Sequence, residues 1–276
     1  MSDPEPITAE TQSYYVRERH AMAVYGDFGP IFEDHYLHLM QIGVRLEPAQ
    51  DEMLKDALAV LSLHLTSRPR DETIAWTLNF REPPLNLFVT GDSLHGNVVG
   101  RVFTEDVKVF DTNLFFSQVT RPRSPVRKST VDVQGRDIPS IVEQYYDQSE
   151  QLPAKLFRMD GDAYAMMVAQ PDIDMEWFSG LTAESMKTLE EDEEIRLLER
   201  RRYRFACGCN LATILNVLVN ALGRDTKEIL AGQEFMEVRC PRCGGTFRVD
   251  ESLLDTFLVA MEEEEARREK EREEGS

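Results

Sequence analysis

The sequence predicts an α+β chain with an N-terminal core of mixed sheet and helix, a marginal helical linker, and a small C-terminal domain organised by cysteines. Three observations carry this prediction. Apolar residues between 54 and 65 recur at helical spacing, those from 74 onward alternate with period two, and all four cysteines of the 276 residues lie in the last quarter. Strands in series flanked by helices define an α+β domain, and this length suffices for one substantial core plus a smaller module. The expected division is a core over 1–170, a charged linker over 171–204, a cysteine domain over 205–258 and a charged tail over 259–276.

Residues 1–12 are polar, hold two prolines and read as frayed. From about Tyr14 to Leu65 the apolar spacing is helical in places. Leu54, Leu58, Leu61 and Leu65 mark one amphipathic helix, which Arg68-Pro69 ends. Ile74, Trp76, Leu78 and Phe80 then alternate with smaller or polar residues as a half-buried strand. Further strands are expected at Leu85–Thr90, Val98–Phe103, Leu114–Val119 and Val126–Val133. A helix should open after Asp137, an N-cap residue, with Ile138, Ile141, Val142 and Tyr145 on one face. In the linker, five acidic residues at 190–194 precede Arg200-Arg201-Arg202, which reads as a solvated helix with charges placed as the helix dipole favours. Such a segment buries little and is marginally stable.

The cysteines fall as Cys207-Gly208-Cys209, then 30 residues, then Cys240-Pro241-Arg242-Cys243-Gly244-Gly245. Zinc takes four soft ligands in a tetrahedron, and two tight thiolate pairs joined by a small fold supply them. The short C-x-C leash suits joint metal binding and also permits a strained disulfide. Around the pairs, helices are expected at Leu211–Leu222 and after Asp225, a hairpin from Phe235–Val238 and Thr246–Val249, and a last helix after Asp250. One zinc held by Cys207, Cys209, Cys240 and Cys243 is therefore the expected cofactor. Arg204, Arg239 and Arg242 lie beside the pairs and could help hold their negative charge.

Composition narrows the function. A net charge of −19 argues against a nucleic-acid partner, which calls for clustered Lys and Arg, and residues 205–249 are near neutral with five basic and four acidic side chains. Neither a signal peptide nor an apolar run of about 20 residues is evident, so no membrane contact and a reducing cytoplasm are expected. There is no Walker loop or dinucleotide fingerprint. The five histidines all precede residue 96, and His35 with His38, three apart, read as a surface or packed pair. Four cysteine ligands would leave a metal no open position for a catalytic water, so no enzyme is expected. The tail has 12 charged residues among the 13 from Glu262 to Glu274, and reads as a solvated helix.

The cysteine spacing, Gln148-Ser149-Glu150-Gln151-Leu152-Pro153 with Leu156-Phe157, Glu193–Glu199 leading to Arg204-Phe205, and Glu234–Val238 before Cys240 together resemble the heat-shock protein 33 family of redox-regulated chaperonins. The resemblance spans about residues 55–258 and is densest in the last hundred of them. Two places depart from the family pattern: Arg81-Glu82-Pro83-Pro84 stands where a glycine-rich turn is usual, and only 36 residues separate Gln170 from Cys207, a shortened linker.

The resemblance implies an ATP-independent holdase. It is zinc-bound and inactive when reduced. On oxidation it forms Cys207–Cys209 and Cys240–Cys243 disulfides, releases zinc, dimerises and binds unfolding client proteins. Independently of the family, a module of about 50 residues buries too little to be secure alone, so loss of a structural zinc should unfold it. Two other classes compete: a zinc-stabilised interaction protein that never switches, and a zinc ribbon that binds nucleic acid.

Overall fold

A computed structural model describes residues 7–274 of the chain. Its elements run in the order β1 (Ala9–Val16), β2 (Ala21–Asp27), α1 (Gly29–Ile42), α2 (Pro48–Ser67), β3 (Thr73–Phe80), β4 (Leu85–Asp92), β5 (Asn97–Phe103), β6 (Asn113–Thr120) and β7 (Arg127–Val133). They continue with α3 (Ile138–Tyr145), β8 (Ala154–Arg158), β9 (Ala163–Ala169), α4 (Met175–Gly180), α5 (Ala183–Lys187), α6 (Leu189–Asp192), β10 (Ile195–Phe205), α7 (Leu211–Leu222), α8 (Thr226–Ile229), β11 (Phe235–Arg239), β12 (Thr246–Asp250) and α9 (Glu251–Glu274). Two units result, Met1–Cys207 and Gly208–Ser276.

In the first unit ten strands form one sheet in the order β7-β6-β3-β4-β5-β10-β1-β2-β9-β8. Every pairing described is antiparallel except that of β5 with β10. The mixed sheet-and-helix class read from the sequence stands. The predicted leucines Leu54, Leu58, Leu61 and Leu65 are all buried on α2, which packs on strands from both halves of the sheet. Trp76 and Phe115 meet Tyr145 beneath α3. Asp137 caps α3 as expected, its carboxylate accepting from the Ser140 amide at 3.1 Å.

Three sequence expectations need correction. Residues 9–12, read as frayed, belong to β1; the rest of that expectation, 1–6, lies outside the described residues. Thr11 and Ser13 face the core there, with Thr11 Oγ1 and Thr66 Oγ1 2.8 Å apart, so small hydroxyl residues stand where a strand pattern would show apolar ones. Likewise β2 lies within the stretch read as helical in places.

The largest correction concerns the linker. Its first part is helical, but Phe178, Leu181, Met186 and Leu189 are buried against Val16, Ala23 and Met167 of the sheet. From Ile195 the chain is a strand of 11 residues at the sheet's centre, not a solvated helix. Arg201, Tyr203 and Phe205 point inward while Arg200, Arg202 and Arg204 are exposed, a period-two pattern concealed by an arginine in an inward position. The guanidinium of Arg201 donates to the carbonyls of Leu65 (2.6 Å) and Arg68 (2.7 Å) at the end of α2, to Ser93 Oγ (2.9 Å) and to Glu199. It thereby satisfies carbonyls that a helix terminus leaves free.

The second unit has a small core of its own. Leu215, Val219, Ile229, Leu230, Val249 and Leu254 are buried together, with Leu211, Val238 and Phe257 packed around them. Asn210 caps α7 and Asp225 caps α8, each side chain accepting backbone amides of the first turn. β11 and β12 form the expected hairpin, in register from Phe235↔Asp250 to Arg239↔Thr246. Among the described residues no helix is long and apolar enough to cross a membrane.

Candidate metal centre

Each cysteine pair follows the end of a strand. β10 ends at Phe205, and Cys207 and Cys209 flank Gly208, whose φ of 68° lies in the left-handed region. The second pair forms the turn of the β11–β12 hairpin. The Cys240 amide donates to the Gly245 carbonyl (2.8 Å) and the Gly244 amide to the Cys240 carbonyl (2.9 Å). Gly244 has φ 81°, which a side chain would disfavour. Closure of this turn aims the Gly245 N–H at Cys243 Sγ, 3.4 Å away.

The four sulfurs converge. All lie within 4.8 Å of one another, and Cys209 Sγ is 3.5 Å from Cys243 Sγ. Cys240 and Cys243 are buried, and Cys207 and Cys209 are half-buried. Zinc bonded to thiolates at about 2.3 Å would set neighbouring sulfurs about 3.8 Å apart in a regular tetrahedron. Four thiols at this separation, one of them receiving a backbone N–H, fit such an ion. The donor set is all sulfur, which favours zinc over hard cations.

The surroundings differ in part from the sequence reading. Arg204 is turned to β5, its Nε donating to Asn97 Oδ1 at 3.1 Å, while Arg239 and Arg242 are exposed. The histidines are remote from the cysteines in sequence, yet the rings of His35 and His38 lie 5.3 and 5.4 Å from that of Phe205, two residues before Cys207. His35 is 1% exposed, and burial holds its pKa down to about 4. No sequence signal announces that contact, because it depends on β10 entering the sheet beside α1.

A further device holds β10 in register. Gly96, with φ 64°, accepts the Arg204 amide at 2.9 Å, and Val98 accepts that of Ala206 at 2.9 Å. Only Arg204↔Asn97 and Phe205↔Val98 pair across this seam, which joins the two halves of the sheet just before Cys207.

Comparison with known proteins agrees with this architecture. A family model described as "Hsp33 protein" matches residues 160–250. Among curated relatives, the 33 kDa chaperonin of Edwardsiella ictaluri is 25% identical over 164 residues, covering 50% of this chain and 56% of that protein. That of Methylobacillus flagellatus is 27% identical over 144 residues, covering 44% and 49%. The Yersinia pestis (strain Pestoides F) protein is 22% identical over 240 residues, covering 74% and 80%. Over the first two, the chain spans about half the length of the curated relatives it matches. The crystal structure of the 33 kDa chaperonin (heat shock protein 33 homolog) from Thermotoga maritima superposes with a TM-score of 0.68 at 15% identity, covering 93% of this chain and 99% of that one. That likeness is one of fold.

Fold and site together define a two-unit α+β protein with a C-terminal four-cysteine centre. Over residues 160–250 the chain is similar to the Hsp33 family, and its fold is that of a 33 kDa chaperonin.

Proposed function

We propose that this chain is a redox-regulated, ATP-independent holdase chaperone whose four cysteines are both zinc ligands and sensor. The observation that supports this best is the convergence of four thiols within 4.8 Å at the end of a core strand. Residues 1–170 would bind clients and dimerise, 171–204 link, 205–258 switch, and 259–276 form a charged tail. The reaction would take place in a reducing cytoplasm, with no nucleic acid involved.

When bound, zinc would tether the four thiolates and hold a unit whose own core is small. Cys207, Cys209, Cys240 and Cys243 would hold it. Thiolates are the form that oxidants attack. In the proposed chemistry each thiolate pair gives two electrons to one peroxide, whose O–O bond breaks and which takes up two protons from solvent to leave as two waters while the S–S bond forms. The pairing Cys207–Cys209 and Cys240–Cys243 follows the family resemblance. Disulfide sulfurs no longer serve as thiolate ligands, so zinc leaves, the second unit unfolds and apolar surface meets clients. The oxidised form would dimerise.

One observation favours a second reading. The segment before Cys207 is well packed: α4–α6 bury apolar side chains and β10 is a central strand. A zinc-stabilised interaction protein that never switches would look the same. Zinc release followed with a colorimetric chelator, run beside light scattering of a heat-denatured client with and without peroxide, separates the two. The chaperone reading expects one zinc lost together with suppressed aggregation; zinc loss without protection supports the second reading.

A further inference from the structure

Phe205 closes β10, two residues before Cys207, and its ring is gripped by α1 through His35 and His38. Of these, His35 is the anomaly. It is 1% exposed, and neither ring nitrogen has a hydrogen-bond partner. A buried polar group left unpaired is costly, and the packing alone would be served as well by an apolar ring. Asp51 on α2 offers the nearest carboxylate, but its Oδ1 is 3.8 Å from His35 Nδ1, beyond hydrogen-bond reach, and its Oδ2 is paired with Lys55 at 2.7 Å. The charged and titratable groups that face His35 are therefore Asp51 and Lys55 from α2 and His38 from its own helix; β10 presents the Phe205 ring.

We propose that the His35–Phe205 contact is an acid-sensitive latch on the strand that delivers Cys207, and that it opens when a proton enters the His35 ring. An imidazolium there would be stripped of water with only a half-neutralised carboxylate beside it. The attraction of the Phe205 ring for a cation is too weak to offset this, and burial accordingly holds the pKa down to about 4. Water reaches the ring only if Phe205 withdraws. Pairing with β1 reaches only to Tyr203, opposite Ala9, so the last residues of the strand are held by β5 at two positions, through the amides of Arg204 and Ala206 and the Arg204 side chain on Asn97. Acid would thus loosen the approach to the first cysteine pair. That such loosening tunes thiol oxidation rests on the redox reading above; the latch itself does not.

Amide hydrogen exchange on the reduced, zinc-loaded full chain tests it. Protection of Arg204 and Ala206, corrected for intrinsic exchange, should fall about tenfold between pH 7.5 and pH 5.5, as expected when only the open state binds a proton near pH 6.5. His35→Phe and His35→Gln, which cannot titrate, should show no such fall. Thiolate protonation would act on the native protein and both variants alike, so the difference between them isolates His35. Protection independent of pH in the native protein, or an equal fall in a folded variant, would overturn the latch. Should neither variant fold, an NMR titration of the native His35 ring decides: a midpoint near 6.5 in the folded state overturns the proposal and one near 4 upholds it. A protein indifferent to peroxide would sink the redox reading while leaving this pH difference intact.

Discussion

The amide of Arg204 donates to the carbonyl of Gly96 at 2.9 Å, and through that bond β5 takes hold of β10 three residues before the first cysteine. The approach is close because residue 96 has no side chain. A Cβ there would collide with the carbonyl oxygen of Arg202, and the φ of 64° is one that L residues rarely adopt. This seam joins the two halves of the ten-stranded sheet, so whatever loosens it loosens the strand that carries Cys207.

Gly96→Ala should therefore lower the unfolding free energy by about 2 kcal/mol or more, the scale of a strained backbone position with a steric clash. Urea denaturation followed by tryptophan fluorescence measures it, since Trp76 is buried in the same sheet. A change below about 0.5 kcal/mol, the size of an ordinary surface substitution, would mean the seam is not tight.

Arg201 is the second anchor of β10. Replacing it with Met removes a donor to the Leu65 carbonyl of α2, to the Arg68 carbonyl just after it and to Ser93 Oγ, in a buried setting. A loss of about 3–5 kcal/mol is expected, as for breaking a buried ionic network from one side. Arg201→Lys keeps the charge but not the planar fork and should recover only part of it. Equal stability of Met and native proteins would refute the anchoring role.

Cys240→Ser should abolish zinc binding and unfold residues 208–258 even under reducing conditions. A structural zinc contributes on the order of 10–16 kcal/mol in small peptides, more than so small a core can replace. Limited proteolysis and metal analysis check this together: cleavage should concentrate in the second unit while the first stays protected. Full zinc content and native resistance in the variant would show that the ligands are wrongly assigned.

Stability should also depend on pH through His35. The unfolded chain binds a proton at this residue near pH 6.5, whereas the folded protein resists it until about pH 4. The lowered pKa means that its contribution is fully present above pH 6.5 and is lost as pH falls toward 4, by about 3 kcal/mol in all. In His35→Phe this part of the acid sensitivity should vanish. Parallel denaturation profiles for the two proteins from pH 7.5 to 4.5 would exclude it.

How far the sequence could be read depended on which residues face inward. Strands β3 to β7 were legible because their sequences carry apolar runs or alternation, clearest at Ile74, Trp76, Leu78 and Phe80, which are all buried. The helix α2 and the elements around Cys240 were legible for the same reason and from their caps. β1 was hidden because Thr11 and Ser13 occupy its inner face, and β10 because Arg201 does, a charge whose partners come from α2 and from the loop after β4. The four cysteines could be named from spacing, but not that β10 carries the first pair out of a sheet. Nor could the His35–Phe205 contact be foreseen, since it pairs residues 170 positions apart.

The central claim is that oxidation makes this chain hold unfolded proteins, and complex formation tests it most directly. A chemically denatured client is diluted into zinc-loaded reduced protein or into peroxide-treated protein, without nucleotide, and each mixture is run on a sizing column. The account predicts that client co-elutes with the oxidised protein and not with the reduced one. Co-elution with both forms alike, or with neither, would contradict it.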